Sequence, residues 1–138
     1  MDEVEALVRL ARSADFSDRA HAGIELSRFA GTVDEVLLEL LLDDENGYPV
    51  QMTAEALIKR GDAAALRPFA AAWHRAGAAD DSQILDHLYG ATSYGRWLDA
   101  TDSRRTGLQA VLATLLDDRD EAVRKGAESL IAAFSSHS

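Results

Sequence analysis

Apolar residues recur at intervals of three and four along the chain, the spacing of one helical face, and short polar or glycine-bearing turns interrupt them. Val4, Leu7, Val8 and Ala11 form one stripe in a helix predicted over residues 2–13. Ala22, Leu26 and Phe29 form a second over 17–29, and Gly31 fits the left-handed position that closes it. Val36, Leu37, Leu40 and Leu41 mark a third over 33–42. A fourth begins at Pro49, whose missing N–H suits a first turn; it buries Val50, Ala54, Leu57 and Ile58 and stops at Gly61. Asp62 caps a fifth carrying Leu66, Phe69, Ala70 and Trp73, which Pro68 should bend and Gly77 should end. A sixth starts near Asp81 or Ser82, with Asp80 and Asp81 read as caps, and carries Ile84, Leu85 and Leu88. Residues 90–102 are the least regular, with a short helix expected over 94–100. The last two helices carry Leu108, Val111, Leu112, Leu115 and Leu116, then Val123, Ala127, Leu130, Ile131 and Phe134. The prediction is one all-α domain over residues 1–134 and a frayed tail at 135–138.

The pattern repeats. Leu41-Leu42-Asp43-Asp44 precedes Val50, Ala54, Leu57 and Ile58; Leu115-Leu116-Asp117-Asp118 precedes Val123, Ala127, Leu130 and Ile131. Spacings within the two helices are identical. Arg19, Ala22 and Leu26 form a weaker copy, and Asp80-Asp81 with Ile84 and Leu88 a degenerate one. The step from Val50 to Val123 is about two periods of a mid-thirties repeat, within the solenoid range.

The acidic turn followed by Val123-Arg124 and Ala127, together with Gly61-Asp62 and the later Pro68, resembles the HEAT-like (armadillo-type) repeat family. The resemblance implies a short right-handed solenoid of about four stacked antiparallel hairpins. It also implies a ladder of acidic turns and arginines, in which Arg19 and Arg124 fit, whereas Gln51 and Leu85 do not. Stacking explains the pattern physically, because one hairpin cannot hide its own apolar face. A compact helical bundle of the same helices is the alternative.

Alanine and leucine dominate a 47% hydrophobic composition, which favours helix over strand. A formal charge of −10 opposes binding to phosphate backbones and anionic membranes and favours basic proteins, while also aiding solubility. Cysteine is absent, which removes disulfides and thiolate chemistry and fits a reducing cytoplasm. The acidic start Met1-Asp2-Glu3 lacks the basic region of a secretory leader, and runs such as Leu40-Leu41-Leu42 are too short to span a membrane. Arginine outnumbers lysine, with Lys59 and Lys125 alone, as in high-GC bacteria.

Candidate chemistry is sparse. His21, His74, His87 and His137 share no ligand spacing, and Asp86-His87 point about 100° apart on a helix, so no metal site is expected. Asp43-Asp44-Glu45-Asn46-Gly47 lacks the alternation of a calcium loop and reads as a polar turn. Gly90 to Gly95 lacks the lysine and preceding strand of a phosphate loop. No catalytic residue and no cofactor are assigned.

The expected function is therefore a non-catalytic, cytoplasmic protein-binding module, an immunity-like or adaptor protein with a basic protein or peptide partner. In solenoids of the resembled family the second helices line the concave face. That assigns Arg19, Gln51, Glu55, Lys59, Lys125 and Glu128 to the partner, with Glu55 and Lys59 also spaced as an intrahelical pair. Tyr94 and Trp97 join them as aromatic anchors, the other reading being that the aromatic residues there fill the core where the repeat is imperfect. The alternative is a small-molecule or enzymatic site at residues 86–97, using Tyr89, Tyr94 and Trp97 beside Asp86 and His87. A third reading is a subunit of a larger assembly.

Overall fold

The computed structural model describes residues 2–96 and 103–135, and side chains within 2–92 and 106–133. They form eight α-helices: α1 Glu3–Ala11, α2 Phe16–Leu26, α3 Asp34–Leu41, α4 Gly47–Arg60, α5 Ala63–Ala78, α6 Ser82–Arg96, α7 Ser103–Leu115 and α8 Glu121–Ser135. A single 3-10 turn, Ser27–Phe29, extends α2. No strand occurs among the described residues.

Local chemistry sets the boundaries. Asp2, Asp15, Asn46 and Asp62 each accept a hydrogen bond from a backbone N–H of the following turn, which satisfies donors a helix start leaves open. Capped by Asn46, α4 starts at Gly47, two residues before the expected Pro49, which then occupies the third position and still forfeits no intrahelical bond. Gly61 ends α4 at φ 70°. Gly77 does not end α5. The helix runs to Ala78, and Asp80 takes the left-handed conformation at φ 55° while the Asp81 N–H reaches back to the Ala76 carbonyl. Asp80 therefore closes α5, and Asp81 caps α6 through the Ile84 N–H. Gly90 does not open an irregular segment either; α6 continues through it to Arg96, so the short helix expected over 94–100 is in part the end of α6. Trp97 and residues 98–102 lie outside the described residues, as do 136–138, and Ser135 of the expected tail belongs to α8.

One continuous core runs through the molecule, from Leu26, Leu37, Leu40 and Leu41 to Leu57, Phe69, Leu88, Leu112 and Leu130. Hydrophobic burial of this kind is the main stabilising contribution. α2, α4 and α6 lie in a row, with α4 packed extensively on both neighbours. The most extensive helix pair of all is α5 with α8.

α5 and α8 repeat the arrangement of α2 and α4. Along α2 and α4, Arg19 pairs with Asp43, Gly23 faces Thr53, and the Ser27 carbonyl accepts from Arg60. Along α5 and α8, Arg67 pairs with Asp118, Ala70 faces Gly126, and Trp73 Nε1 donates to Ser129 Oγ at 2.9 Å. In each pair both residue numbers rise together, so the two helices run in the same sense. The turns at Leu41-Asp44 and Leu115-Asp118 share this local arrangement, with Asp118, rather than Asp117, in the place of Asp43, although α8 packs on α5 and not beside α6 in the row of α2, α4 and α6.

Candidate functional site

The turn before α4 organises one end of the molecule. Asp43 Oδ2 accepts from Arg19 Nε at 2.7 Å, and its Oδ1 accepts from the backbone N–H groups of Glu45 and Asn46 at 3.0 Å each. Arg19 Nη1 donates to the Ser13 and Ala14 carbonyls at 3.0 Å. The two side chains are only 10% and 8% exposed. One buried ion pair thereby fixes both the α1–α2 and the α3–α4 turns.

Those turns form the floor of an open cleft of about 860 Å³ between the end of α1, α3 and Arg75 of α5. Its carboxylates are Glu35, Glu39, Asp43, Asp44 and Glu45. Its cations are Arg12, Arg19 and Arg75. Arg12 is engaged with Glu39 at 3.3 Å, and Arg19 with Asp43. Glu45, with a side chain 78% exposed, has only a distant 4.0 Å contact to Arg19. Exposed Glu35 and Asp44 have no ion pair among the described residues. A surplus of solvated negative charge therefore faces solvent on a rigid floor.

Beside this cleft two aromatic rings stand in solvent. Phe16 is the first residue of α2, just beyond cleft residues Ser13 and Ala14; Tyr48 is the second of α4, just beyond Asp43 to Glu45. They meet edge to face with centroids 6.0 Å apart, yet remain 45% and 48% exposed.

The equivalent turn before α8 uses the same device. Arg67 Nε donates to Asp118 Oδ2 at 2.7 Å, the Asp120 N–H donates to Asp118 Oδ1 at 2.9 Å, and Arg124 Nη1 donates to the Asp118 carbonyl at 2.8 Å. Arg124 so repeats the reach of Arg19 to the turn before its own helix. The Arg67 hydrogen bond, aided by the Asp120 N–H and the charge of Arg67, holds the Asp118 carboxyl below its ordinary value, with burial acting the other way. A carboxyl depressed in the folded state stabilises fully above its unfolded pKa and loses that contribution as pH falls through the folded value. Stability to denaturant should therefore fall as pH drops below about 4, and Asp118→Asn should flatten the dependence in that window. An unchanged slope in the variant would show that the pair does not couple to folding.

The residues assigned from sequence fall in different settings. Arg19 is buried and committed to Asp43 and two carbonyls. Gln51, Glu55 and Lys59 share one face of α4, the first two half-buried and Lys59 exposed. Glu55 and Lys59 form no ion pair among the described residues, and Glu55 Oε2 is buried without a hydrogen-bond partner. Exposed Lys125 and Glu128 lie on α8, whose main neighbour is α5, and Lys125 pairs with Glu121 at 2.8 Å. The backbone of Tyr94 is helical in α6, and Trp97 is outside the described residues. His87 lies over Gly47, where a cavity of about 80 Å³ separates the acidic turn from α6. No group of three or more His, Asp or Glu residues that could hold a metal occurs among the described residues, and no described helix is long and apolar enough to cross a membrane.

Sequence reasoning missed Phe16 and Tyr48, which fall off the apolar stripes of their helices. An apolar ring outside the stripe, in the first turn after an Asp or Asn cap, is the signal that was there to be read. No protein-family model matches the chain, nor does any curated protein or solved structure compared with it. Its function must be argued from its own surface.

Proposed function

We propose that this chain is a short HEAT-like helical stack acting as a non-catalytic protein-binding module, and that its partner is a basic protein, as in an immunity-like or adaptor role. The observation that carries the proposal is the open acidic cleft built on the Arg19–Asp43 pair, where Glu35, Asp44 and Glu45 are exposed to solvent. The overall charge of −10 adds a long-range attraction for such a partner. The row of α2, α4 and α6, with the Arg19–Asp43 contact at the turn before α4, supports the stacked-repeat reading. An open, charge-lined trough suits a protein segment better than a small molecule, whose sites are usually enclosed and mainly apolar.

Glu35 and Asp44 are exposed and outside the core, so a Glu35→Arg/Asp44→Arg double variant should keep its thermal stability. With the partner retained from the native host at about 0.15 M salt, the variant should associate at least roughly tenfold more slowly and lose most of its salt dependence. Failure to retain any protein at that salt, or an unchanged rate in the variant, would remove the proposal.

A further inference from the structure

Resting on the acidic-cleft reading above, we infer that the exposed Phe16–Tyr48 pair is an apolar anchor site beside the cleft. The occupant is a protein segment that carries an aromatic or aliphatic side chain next to lysine or arginine. Two large rings at 45% and 48% exposure are costly to leave in water when neither belongs to the core. Tyrosine and phenylalanine present large contact area with few rotatable bonds, and such rings are enriched where interfaces concentrate their energy. Half-buried Met52 stands one turn from Tyr48 on α4, so the apolar surface continues up that helix.

Charge selects the occupant. Asp15 and Asp18 flank Phe16, and Asp44 and Glu45 lead into Tyr48. Asp15 caps α2 through the Ser17 N–H at 2.7 Å, and Asp18 accepts from Ser13 Oγ at 2.9 Å, so both are held at this end. The starts of α2 and α4 each contribute roughly half a positive charge, less than these four carboxylates. A second copy of this chain, with its own charge of −10, meets this surface unfavourably, whereas a cationic segment with an apolar tip satisfies rings and carboxylates together.

The test uses three synthetic twelve-residue peptides against the intact protein: one with a Trp-Leu pair flanked by lysine and arginine, one with that pair replaced by alanine, and one with the basic residues replaced by glutamate. Fluorescence anisotropy gives affinity, and sedimentation gives the state of the protein. The first peptide should bind at least about tenfold more tightly than the second, and the third should not bind. Phe16→Ser and Tyr48→Ser, made separately and checked for unchanged helix content, should each remove most of that difference. Equal binding of the first two peptides would overturn the anchor while leaving the acidic cleft as the binding feature. No binding of either basic peptide would count against both. A dimer that Phe16→Ser dissociates would assign the rings to self-association and overturn the inference.

Discussion

Asp43→Ala should destabilise the protein by about 3–5 kcal/mol, because it leaves the Arg19 guanidinium charged and buried without its carboxylate. The same change removes the acceptor for the Glu45 and Asn46 N–H groups and unties the turn that launches α4. Domains of ordinary size are stable by only about 5–15 kcal/mol in all, so the variant would lose a large share of its folding free energy. Chemical denaturation measures the loss directly. Pairing Asp43→Leu with Arg19→Met should recover only part of it, because an apolar pair avoids the desolvation cost of a lone charge but leaves the Glu45 and Asn46 N–H groups and the Ser13 and Ala14 carbonyls without these partners. A loss below about 1 kcal/mol for Asp43→Ala would place the pair in the class of solvent-screened surface contacts, and the cleft floor would not be rigid.

Gly126→Ala should cost at least about 2 kcal/mol, the opposite of the usual benefit of replacing a helical glycine. A Cβ at position 126 would overlap the Ala70 carbonyl oxygen, which is backbone and cannot rotate aside. The α5–α8 pair, the most extensive in the molecule, would have to separate. Gly77→Ala is the internal control. A Cβ there meets nothing within 4 Å, so the substitution should stabilise by roughly 0.5–1 kcal/mol. At Gly23 the added Cβ meets the Thr53 hydroxyl, a side-chain atom that is buried without a hydrogen-bond partner. Gly23→Ala should therefore cost less than Gly126→Ala. The same sign for Gly126→Ala and Gly77→Ala would contradict the close approach of α8 to α5.

These contrasts show what sequence reveals and what it hides. The stripes of α3 and α4, the stop at Gly61 and the caps at Asp62 and Asp81 were legible because each depends on residues within one or two turns. The kinship of the turns at Asp43 and Asp118 was legible too, since it is written in local spacing. The neighbour of α8 was not. Arg67 lies 51 positions before Asp118, and nothing in the apolar periodicity of α5 distinguishes a helix that receives α8 from one that does not. Gly126 was the available clue, a residue without a side chain on a helix face that otherwise carries Val123, Ala127 and Leu130. Gly77 and Gly90 misled for the converse reason: both fit within exposed helix surface, where glycine weakens a helix without breaking it.

The candidate site was only partly legible. The acidic turn at Asp43 to Glu45 was visible, but its dependence on Arg19 turns an expected contact residue into the support of the cleft floor. The family resemblance directs attention to the face bearing Gln51, Glu55 and Lys59, whereas the open cleft lies at the starts of α2 and α4. Which end of a helix faces a cleft depends on how its neighbours close around it, and a single-helix pattern carries no record of that.

Hydrogen–deuterium exchange of the protein, alone and bound to the partner retained at about 0.15 M salt, reads the docking face directly. The cleft account predicts slowed exchange over residues 12–19 and 35–48, with little change at 58–61 and 107–111. Protection centred on 58–61 and 107–111, or spread evenly over the chain, would contradict it.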